Sequence, residues 1–280
     1  NLKIFFGDIR DEKLVKDAMK GCDVVIHLAA LIGIPYSYNS PKSYVETNVI
    51  GTLNILQASK DLRVKKVIHT STSEIYGSPK YFPIDEKHPV NGQSPYSASK
   101  IGADQIALSF YQSFETPVVI LRPFNTFGPR QSARAIIPTI ITQIISGKKE
   151  IRLGNINTRR DFSYIDDTIS GFIACLKNKN IEGQIINLGT GFDFSIKEVA
   201  TIISKQMSAK VKFIQDKSRI RPKKSEVTRL KANPNKAKKL IGWKPEFLGK
   251  SGFIKGINQT VEWFSNEENF TNYKPDLYNI

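Results

Sequence analysis

Short apolar runs rich in β-branched residues alternate along this chain with longer stretches of helical periodicity. The predicted strands are Leu2–Phe6, Val24–Leu28, Lys66–Thr70, Pro117–Leu121, Gln184–Leu188 and Lys210–Ile214. The predicted helices are Glu12–Lys20, Pro41–Lys60, Pro95–Phe114, Ala135–Ser146, Asp166–Leu176, Ser195–Met207 and Gly252–Phe264. This alternation predicts an α/β fold, a Rossmann-like doubly wound parallel sheet with helices on both faces. Such sheets bind ligands beyond the carboxyl ends of their strands, so the residues after each strand are the candidates for chemistry.

The 280 residues are enough for one large domain, or for a large and a small domain around a cleft. Because the pattern is less regular after about residue 150, we expect two parts. Residues 1–150 would form the Rossmann-like dinucleotide-binding domain. Residues 151–280 would form mainly a smaller substrate-binding lobe, with some strands returning to the main sheet.

The start of the chain lacks a feature that dinucleotide folds usually have. Such folds open with a strand and a glycine-rich turn whose amides meet the pyrophosphate at a helix N-terminus. Neither GxxGxxG nor GxGxxG occurs near Asn1, and the chain starts with a strand pattern followed by Gly7-Asp8-Ile9-Arg10-Asp11. We therefore expect that the first β-α-β unit is missing, through truncation rather than decay, and that the chain as given binds a dinucleotide weakly.

Composition narrows the partners. The net charge is +15, and the segment from Lys217 to Lys239 holds ten Lys and Arg residues against one acid, Glu226. No recognition motif or aromatic stacking platform accompanies this charge, so we expect arginines aimed at a substrate phosphate and no nucleic-acid partner. No apolar run reaches a membrane-spanning length, and two distant cysteines with three scattered histidines predict neither disulfide nor metal site. A reducing cytoplasm is the expected location.

The strongest local signal for chemistry is Tyr96-Ser97-Ala98-Ser99-Lys100. Residues four apart share one face of a helix, so Tyr96 and Lys100 would lie side by side. A neighbouring ammonium favours the phenolate and would lower the tyrosine pKa, which suits removal of a proton from a sugar hydroxyl. The spacing alone does not establish a catalytic pair, because it also fits a tyrosine that packs on the sheet and a lysine that is exposed to solvent.

A second polar cluster lies upstream of this helix. The predicted strand Lys66–Thr70 runs directly into Ser71-Thr72-Ser73-Glu74-Ile75-Tyr76-Gly77. Polar residues after a buried strand are often only caps and turn formers. With the Tyr96–Lys100 pair following about twenty residues later, however, the strand-end rule predicts that both groups face one cleft.

Taken in order, these and further motifs resemble the nucleotide-sugar branch of the extended short-chain dehydrogenase/reductase family, the NAD-dependent epimerases and dehydratases. The similarity covers nearly the whole chain. Its motifs are Asp8-Ile9, His27-Leu28-Ala29-Ala30, Thr47-Asn48-Val49-Ile50-Gly51-Thr52, Ser71 to Gly77, Tyr96-x-x-x-Lys100, Arg122-Pro123-Phe124-Asn125-Thr126-Phe127-Gly128-Pro129-Arg130, Arg160-Asp161-Phe162-Ser163-Tyr164-Ile165-Asp166-Asp167 and Asn187-Leu188-Gly189.

The resemblance implies a role for each matching residue. Cofactor contacts would come from Asp8, Ile9, Leu28, Ala29, Ala30, Asn48, Tyr96 and Lys100. A carboxylate at Asp8 would repel a 2′-phosphate, so the implied cofactor is NAD rather than NADP. The implied catalytic residues are Thr72, Ser73, Glu74, Tyr96 and Lys100, and the implied substrate-binding residues are Asn125, Arg134, Arg160 and Arg221. The partner would be a nucleotide sugar, and the family suggests a homodimer.

The subfamily depends mainly on Glu74. A 4,6-dehydratase must remove the C5 proton after C4 is oxidised, and Glu74 matches the glutamate of the dehydratases, whereas Ser73 stands where the glucose-type enzymes have an acid. The segment Gly128–Gln143 resembles the N-acetylglucosamine nucleotide 4,6-dehydratases, so UDP- or GDP-N-acetylglucosamine is the expected substrate, in surface-polysaccharide or nonulosonic-acid sugar biosynthesis. A nucleotide-sugar 4-epimerase, a UDP-glucuronate-type decarboxylase and a non-catalytic nucleotide-sugar binder remain alternatives.

Overall fold

The computed structural model describes residues 2–271, 273 and 274. Its strands are β1 Val24–His27, β2 Lys66–Thr70, β3 Val118–Pro123, β4 Asn125–Phe127, β5 Glu150–Leu153, β6 Arg159–Tyr164, β7 Ile185–Leu188, β8 Asp193–Ser195, β9 Lys212–Gln215 and β10 Arg229–Leu230. The main sheet has the order β1-β2-β3-β7, and every pair in it is parallel. The predicted parallel Rossmann-like sheet is thereby confirmed.

Helices connect and cover these strands. They are α1 Glu12–Met19, α2 Ile34–Asn39, α3 Pro41–Tyr44, α4 Gly51–Asp61, α5 Pro95–Phe114, α6 Ile136–Ile145, α7 Ile165–Lys177, α8 Ile196–Gln206, α9 Asn235–Ile241, α10 Gly249–Ser265 and α11 Glu267–Phe270. Among the described helices, none is long and apolar enough to cross a membrane.

Both faces of the inner strands β2 and β3 are buried, as a doubly wound sheet requires, whereas Val24 and Ile26 of the edge strand β1 are 43% and 41% exposed. On one face, α4 and α5 pack Leu56 and Ala107 against Val67 of β2. On the other face, Cys175 of α7 and Trp243 after α9 pack against Ile68 of the same strand. Fully burying an aliphatic side chain of this size contributes about 1.5–3 kcal/mol, so these two layers fix the position of β2 and its carboxyl end.

A second hydrophobic core lies in the later part of the chain. It joins α6, α8 and α10 around an aromatic group that includes Phe127, Phe162 and Phe253. Two small sheets accompany this core, one with the order β10-β6-β4 and with β8 antiparallel to β6, the other with β5 parallel to β9. Since β7 lies in the main sheet beside β3, the second half of the chain contributes to both cores.

Three predicted elements are wrong in detail. Leu2–Phe6 is irregular, with Leu2 and Phe6 89% and 90% exposed, because no described strand lies beside it to complete a ladder. The predicted helix Pro41–Lys60 is divided into α3, a π-helical segment Val45–Ile50 and α4. The strand predicted at Lys210–Ile214 forms as β9, but it pairs with β5 outside the main sheet.

Candidate active site

A cavity of about 720 Å³ opens beyond the carboxyl ends of β2 and β3. A second cavity, of about 240 Å³, adjoins it on the side of β5 and β6. The two share part of their walls: Pro35, Glu74, Asn125, Thr126, Gln131, Arg134, Ala135 and Arg221 line both. A ligand that spans the two cavities would therefore pass these eight residues.

The polar cluster after β2 forms one wall. Thr72 caps a 3₁₀ turn, Ser73–Tyr76, and its side-chain oxygen accepts a hydrogen bond from the Glu74 amide at 3.2 Å. Thr72 and Glu74 face the larger cavity, while Ser73 is 2% exposed and lines neither one. The predicted catalytic set therefore divides here, because a tight turn directs successive side chains to different sides.

Tyr96 lies in the first turn of α5 and faces the same cavity. Ser94 caps this helix in a reciprocal capping box with Ser97, and Pro95 occupies its first position, so the start of the helix is locally well determined. Burial raises the pKa of the Tyr96 phenol, a hydrogen bond with Thr72 lowers it, and the nearby Glu74 carboxylate raises it further. The structure thus brings Thr72, Glu74 and Tyr96 to one cavity, as the sequence predicts.

Lys100 lies one turn further along α5 and is 3% exposed. Its Nζ donates to the Thr70 carbonyl oxygen at 2.7 Å. Burial lowers the pKa of Lys100 to about 8, although the Asp104 carboxylate favours the charged form. The expected lowering of the Tyr96 pKa by Lys100 is wrong for this structure, because the ammonium is committed to Thr70 and burial dominates at the phenol.

Asn48, predicted from the resemblance to act as a polar brace, sits in the π-helical segment. Its side chain accepts from the Leu31 amide at 2.8 Å and donates to the Leu31 carbonyl and to Ser99 Oγ, both at 2.9 Å. Ser99 in turn donates to the Tyr96 carbonyl at 2.7 Å. These bonds connect the loop after β1 to the first turn of α5, which is the geometry a brace requires.

Sequence reasoning missed Asp104, the centre of a buried polar group behind Tyr96 and Lys100. Its carboxylate contacts His69 Nε2 at 3.2 Å and accepts from Ser71 Oγ at 2.8 Å and from Arg122 Nη2 at 3.0 Å. Asp104 is 1% exposed, and its hydrogen bonds and cationic neighbours hold its pKa below the ordinary value although burial opposes this. The available signal was its place four residues after Lys100 on the same helix face.

The predicted substrate-binding arginines meet at the smaller cavity. Arg160 is buried and lines it, and burial lowers its pKa while the carboxylates of Glu74 and Glu226 favour the charged form. Arg221 Nη1 lies 3.9 Å from a Glu226 oxygen. Two buried atoms in these walls, Arg221 Nη1 and Asn125 Oδ1, have no hydrogen-bond partner among the residues that the structure describes. Unpaired buried polar atoms are costly, so the Arg221 donor fits an anionic group of a ligand and the Asn125 acceptor fits a hydrogen-bond donor of that ligand.

The predicted cofactor residues do not all lie at one cavity, unlike the predicted substrate-binding arginines. Leu28 is 64% exposed and lines the larger cavity together with Ile26 and Ile32, an apolar wall of the kind that a nicotinamide ring fits. Asp8, Ile9, Ala29, Ala30 and Asn48 do not line this cavity. The Asp8 carboxylate accepts from Arg10 Nε at 3.0 Å and from its Nη2 at 2.7 Å, and these bonds lower the pKa of Asp8 to about 2. Ile9 packs against Gly51 at the start of α4.

Within residues 2–271, 273 and 274, no group of three or more His, Cys, Asp or Glu side chains is placed to hold a metal ion.

Comparison with known proteins decides the family. Residues 1–255 match the family model described as GDP-mannose 4,6 dehydratase. The chain belongs to this family. The human dTDP-D-glucose 4,6-dehydratase is 32% identical over an alignment of 282 positions, which covers 98% of this chain and 77% of that protein. The UDP-glucuronate 4-epimerase of Thermodesulfobacterium geofontis is 34% identical over 269 residues, with coverage of 94% and 79%.

Family membership extends to solved structures. The dTDP-glucose 4,6-dehydratase DesIV from Streptomyces venezuelae, crystallised with NAD and TYD bound, superposes with a TM-score of 0.84. Its sequence is 28% identical, and the match covers 94% of this chain and 80% of that one. The expected cofactor, NAD, is thus the one bound in this relative. The predicted family, of NAD-dependent nucleotide-sugar dehydratases and epimerases, is confirmed, while the N-acetylglucosamine type stays a prediction.

Proposed function

We propose that this protein is an NAD-dependent 4,6-dehydratase that converts a nucleotide-linked hexose into a 4-keto-6-deoxy sugar. One observation carries the proposal: the Glu74 carboxylate lies in the wall common to both cavities, two residues beyond Thr72 and close enough to Tyr96 to raise its pKa. A 4-epimerase has no need for a second base there, whereas removal of the C5 proton requires one.

Each side chain has a role that follows from its position in the site. Thr72 and Tyr96 hold the sugar 4-hydroxyl, and Tyr96 takes its proton as C4 is oxidised. Glu74 then takes the C5 proton, which the new C4 ketone has made acidic, and protonates the C6 hydroxyl, which leaves as water. When the resulting C5–C6 double bond is reduced, C5 takes a proton from solvent. Bound NAD would supply a hydride acceptor at C4 and return the same hydride to C6. Lys100 keeps a cation one helical turn from Tyr96, on the same face of α5.

The residues that would hold the NAD are Leu28, Ala29, Ala30, Asp8 and Ile9, while Asn48 braces the loop after β1; the apolar wall at Leu28 suits the nicotinamide ring. The substrate diphosphate would lie where the two cavities meet, between Arg160, Arg221 and Asn125. Charge-assisted contacts from guanidinium groups are the strongest that a protein offers to a phosphate. Arg134 lines both cavities and would add a further cation from the loop before α6.

We further propose UDP- or GDP-linked N-acetylglucosamine as the substrate. Support comes from the segment 128–143, which resembles dehydratases of that type and supplies Gln131, Arg134 and Ala135 to the walls of both cavities. The second candidate is a nucleotide-sugar 4-epimerase, favoured by the 34% identity with the Thermodesulfobacterium UDP-glucuronate 4-epimerase. A decarboxylase acting on a uronic-acid nucleotide is a third possibility, since those enzymes also carry Thr-Ser-Glu.

The test is to incubate the full natural protein with NAD and UDP- or GDP-N-acetylglucosamine in heavy water and follow product mass. A dehydratase gives a product that has lost one water, with solvent deuterium at C5 and a label placed on C4 recovered at C6. A 4-epimerase returns an isomer without solvent deuterium, and a decarboxylase releases carbon dioxide from a uronic-acid nucleotide. Unchanged mass with every hexose nucleotide tested would overturn the dehydratase assignment.

A further inference from the structure

A short turn, residues 222–226, is flanked by Arg221 and ends at Glu226, and both of these charged residues line the cavities. Arg221 precedes the turn and lines both cavities, and Glu226 ends it and lines the smaller one. The amides of Ser225 and Glu226 both donate to the Pro222 carbonyl, at 2.8 and 3.1 Å, so the turn is internally tight. The positions of both side chains therefore follow from where the turn as a whole is held.

Two hydrogen bonds tie this turn to the Rossmann-like domain across long sequence separations. Tyr38 Oη and Ser225 Oγ lie 2.6 Å apart, and Gln93 Nε2 donates to the Lys224 carbonyl at 2.7 Å. Gln93 also accepts, through its side-chain oxygen, from the Ser78 amide just after the Ser73–Tyr76 turn. The substrate-side turn is thus connected both to α2 and to the segment that follows Glu74.

Tyr38 is well placed to transmit position. It lies in α2, whose residues Ile34 and Pro35 line the larger cavity, and its ring packs on the buried cluster of Ile34, Tyr44 and Tyr96. The same side chain therefore contacts the cluster around the proposed base through its ring and the substrate-side turn through its hydroxyl. Ser225 is 9% exposed, so the hydroxyl pair is partly shielded from competing water.

We propose that the Tyr38–Ser225 pair is a latch that positions Arg221 and Glu226 to bind the nucleoside diphosphate part of the substrate. Tyr38 and Ser225 are positioning residues, since neither lines the smaller cavity. Without the latch the turn keeps its internal bonds and the contact from Gln93 but loses its link to α2, so Arg221 and Glu226 can shift away from the ligand. This inference rests on the proposed nucleotide-sugar substrate, though not on whether the enzyme dehydrates or epimerises it.

The experiment is isothermal titration calorimetry with UDP, GDP and dTDP on the wild type, Tyr38→Phe, Ser225→Ala and the double variant. Each single change should raise the Kd of the best-bound nucleotide about three- to tenfold, the range expected for one shielded hydrogen bond. The double variant should be no weaker than the weaker single one, because both changes break the same bond. Tyr81→Phe is the matched control: its hydroxyl donates to Asp85 Oδ1 at 2.7 Å, and Tyr81 lines neither cavity.

Several outcomes would refute the latch. Wild-type affinity in both single variants would do so, as would additive losses in the double variant. Because Phe keeps the ring that packs beside Tyr96, Tyr38→Phe should leave Tm nearly unchanged. Weaker binding accompanied by a several-degree drop in Tm would instead assign Tyr38 to fold stability. If the wild type binds none of the three nucleotides, the proposed substrate class is wrong and the latch is wrong with it. This result differs from a failure of the latch alone, in which the wild type binds a nucleotide and the variants bind it equally well.

Discussion

Oε1 of Glu74 lies 3.6 Å from Nε of Arg160, and the two side chains are only 12% and 7% exposed. One is the proposed base for the C5 proton and the other is the predicted ligand of the substrate diphosphate. A buried ion pair of this kind is sensitive to the loss of either partner, because the remaining charge is left without compensation. In the proposed mechanism, substrate binding and the elimination step are therefore electrostatically connected through this pair.

Arg160→Lys tests that connection. Lysine keeps the charge but loses the planar guanidinium that can face a carboxylate and a phosphate at once. We expect KM for the nucleotide sugar to rise about tenfold and kcat to fall as well, because Glu74 loses its partner. Arg159→Lys is the control, since Arg159 pairs with Asp193 and Glu198 outside the cavities and should leave both constants within about threefold. Equal effects of the two substitutions would contradict the pairing.

Glu74→Gln should separate oxidation from elimination. Glutamine keeps the shape and hydrogen bonding of the side chain but cannot take the C5 proton. We expect the variant to oxidise C4 and stop there, so that absorbance of reduced nicotinamide accumulates and 4-keto sugar stays bound. Ser73→Ala should behave nearly as the wild type, because Ser73 is 2% exposed and lines neither cavity. Full turnover by Glu74→Gln would remove Glu74 from the mechanism.

Tyr96→Phe should reduce turnover by about 10²- to 10⁴-fold while the protein stays folded, because it deletes the proton acceptor and little volume. Burial and Glu74 raise the pKa of Tyr96, so kcat/KM of the wild type should increase as the pH rises toward that pKa. The control is Tyr44→Phe: the Tyr44 ring packs edge-on against Tyr96, and its hydroxyl, which the substitution removes, donates to the Gly33 carbonyl. It should cost about 1 kcal/mol of stability and keep most of the activity. A flat pH profile would argue against the phenol as the titrating base.

Local signals determined how much of the fold could be predicted. Helix α5, Pro95–Phe114, begins where predicted because Ser94 and Ser97 form a capping box around Pro95 that depends on neighbouring residues alone. The π-helical segment around Asn48 was not predictable, since its side chain is satisfied by Leu31 and Ser99, 17 and 51 residues away. Leu2–Phe6 has a strand pattern, but a strand exists only where a second strand completes its hydrogen bonds.

The candidate site shows the same division. Thr72, Glu74 and Tyr96 come together as predicted, because strand ends in a parallel sheet meet at one edge. Asp104 was not singled out, although it lies on the same helix face as Lys100. Its significance comes from Arg122 and His69, which belong to two different strands and are brought to it by the sheet. The contact between Tyr38 and Ser225 spans 187 residues and has no sequence signature.

Lys100→Met should stabilise the protein at neutral pH, because a buried charge is replaced by an apolar chain of similar length. The pKa of Lys100 in the folded protein is about 8, below the 10.5 of the unfolded chain, so below pH 8 folding must keep a buried ammonium charged at a cost of about 3 kcal/mol. Loss of the hydrogen bond to Thr70 offsets about 1 kcal/mol of the stability gained by removing the buried charge. We therefore expect Tm at pH 7 to rise by roughly 3–6 °C.

The pH dependence of this gain is the discriminating measurement. Between about pH 8 and pH 10.5 the unfolded chain binds more protons at Lys100 than the folded protein does, so wild-type stability recovers relative to the variant as the pH rises. The difference in Tm between Lys100→Met and the wild type should therefore decrease from about pH 8 to pH 10.5. Lys65→Met, which removes an exposed lysine paired with Asp23, should show no such narrowing. If the gap between Lys100→Met and the wild type is constant from pH 7 to pH 10.5, Lys100 does not titrate in that range, and the burial argument for its pKa fails.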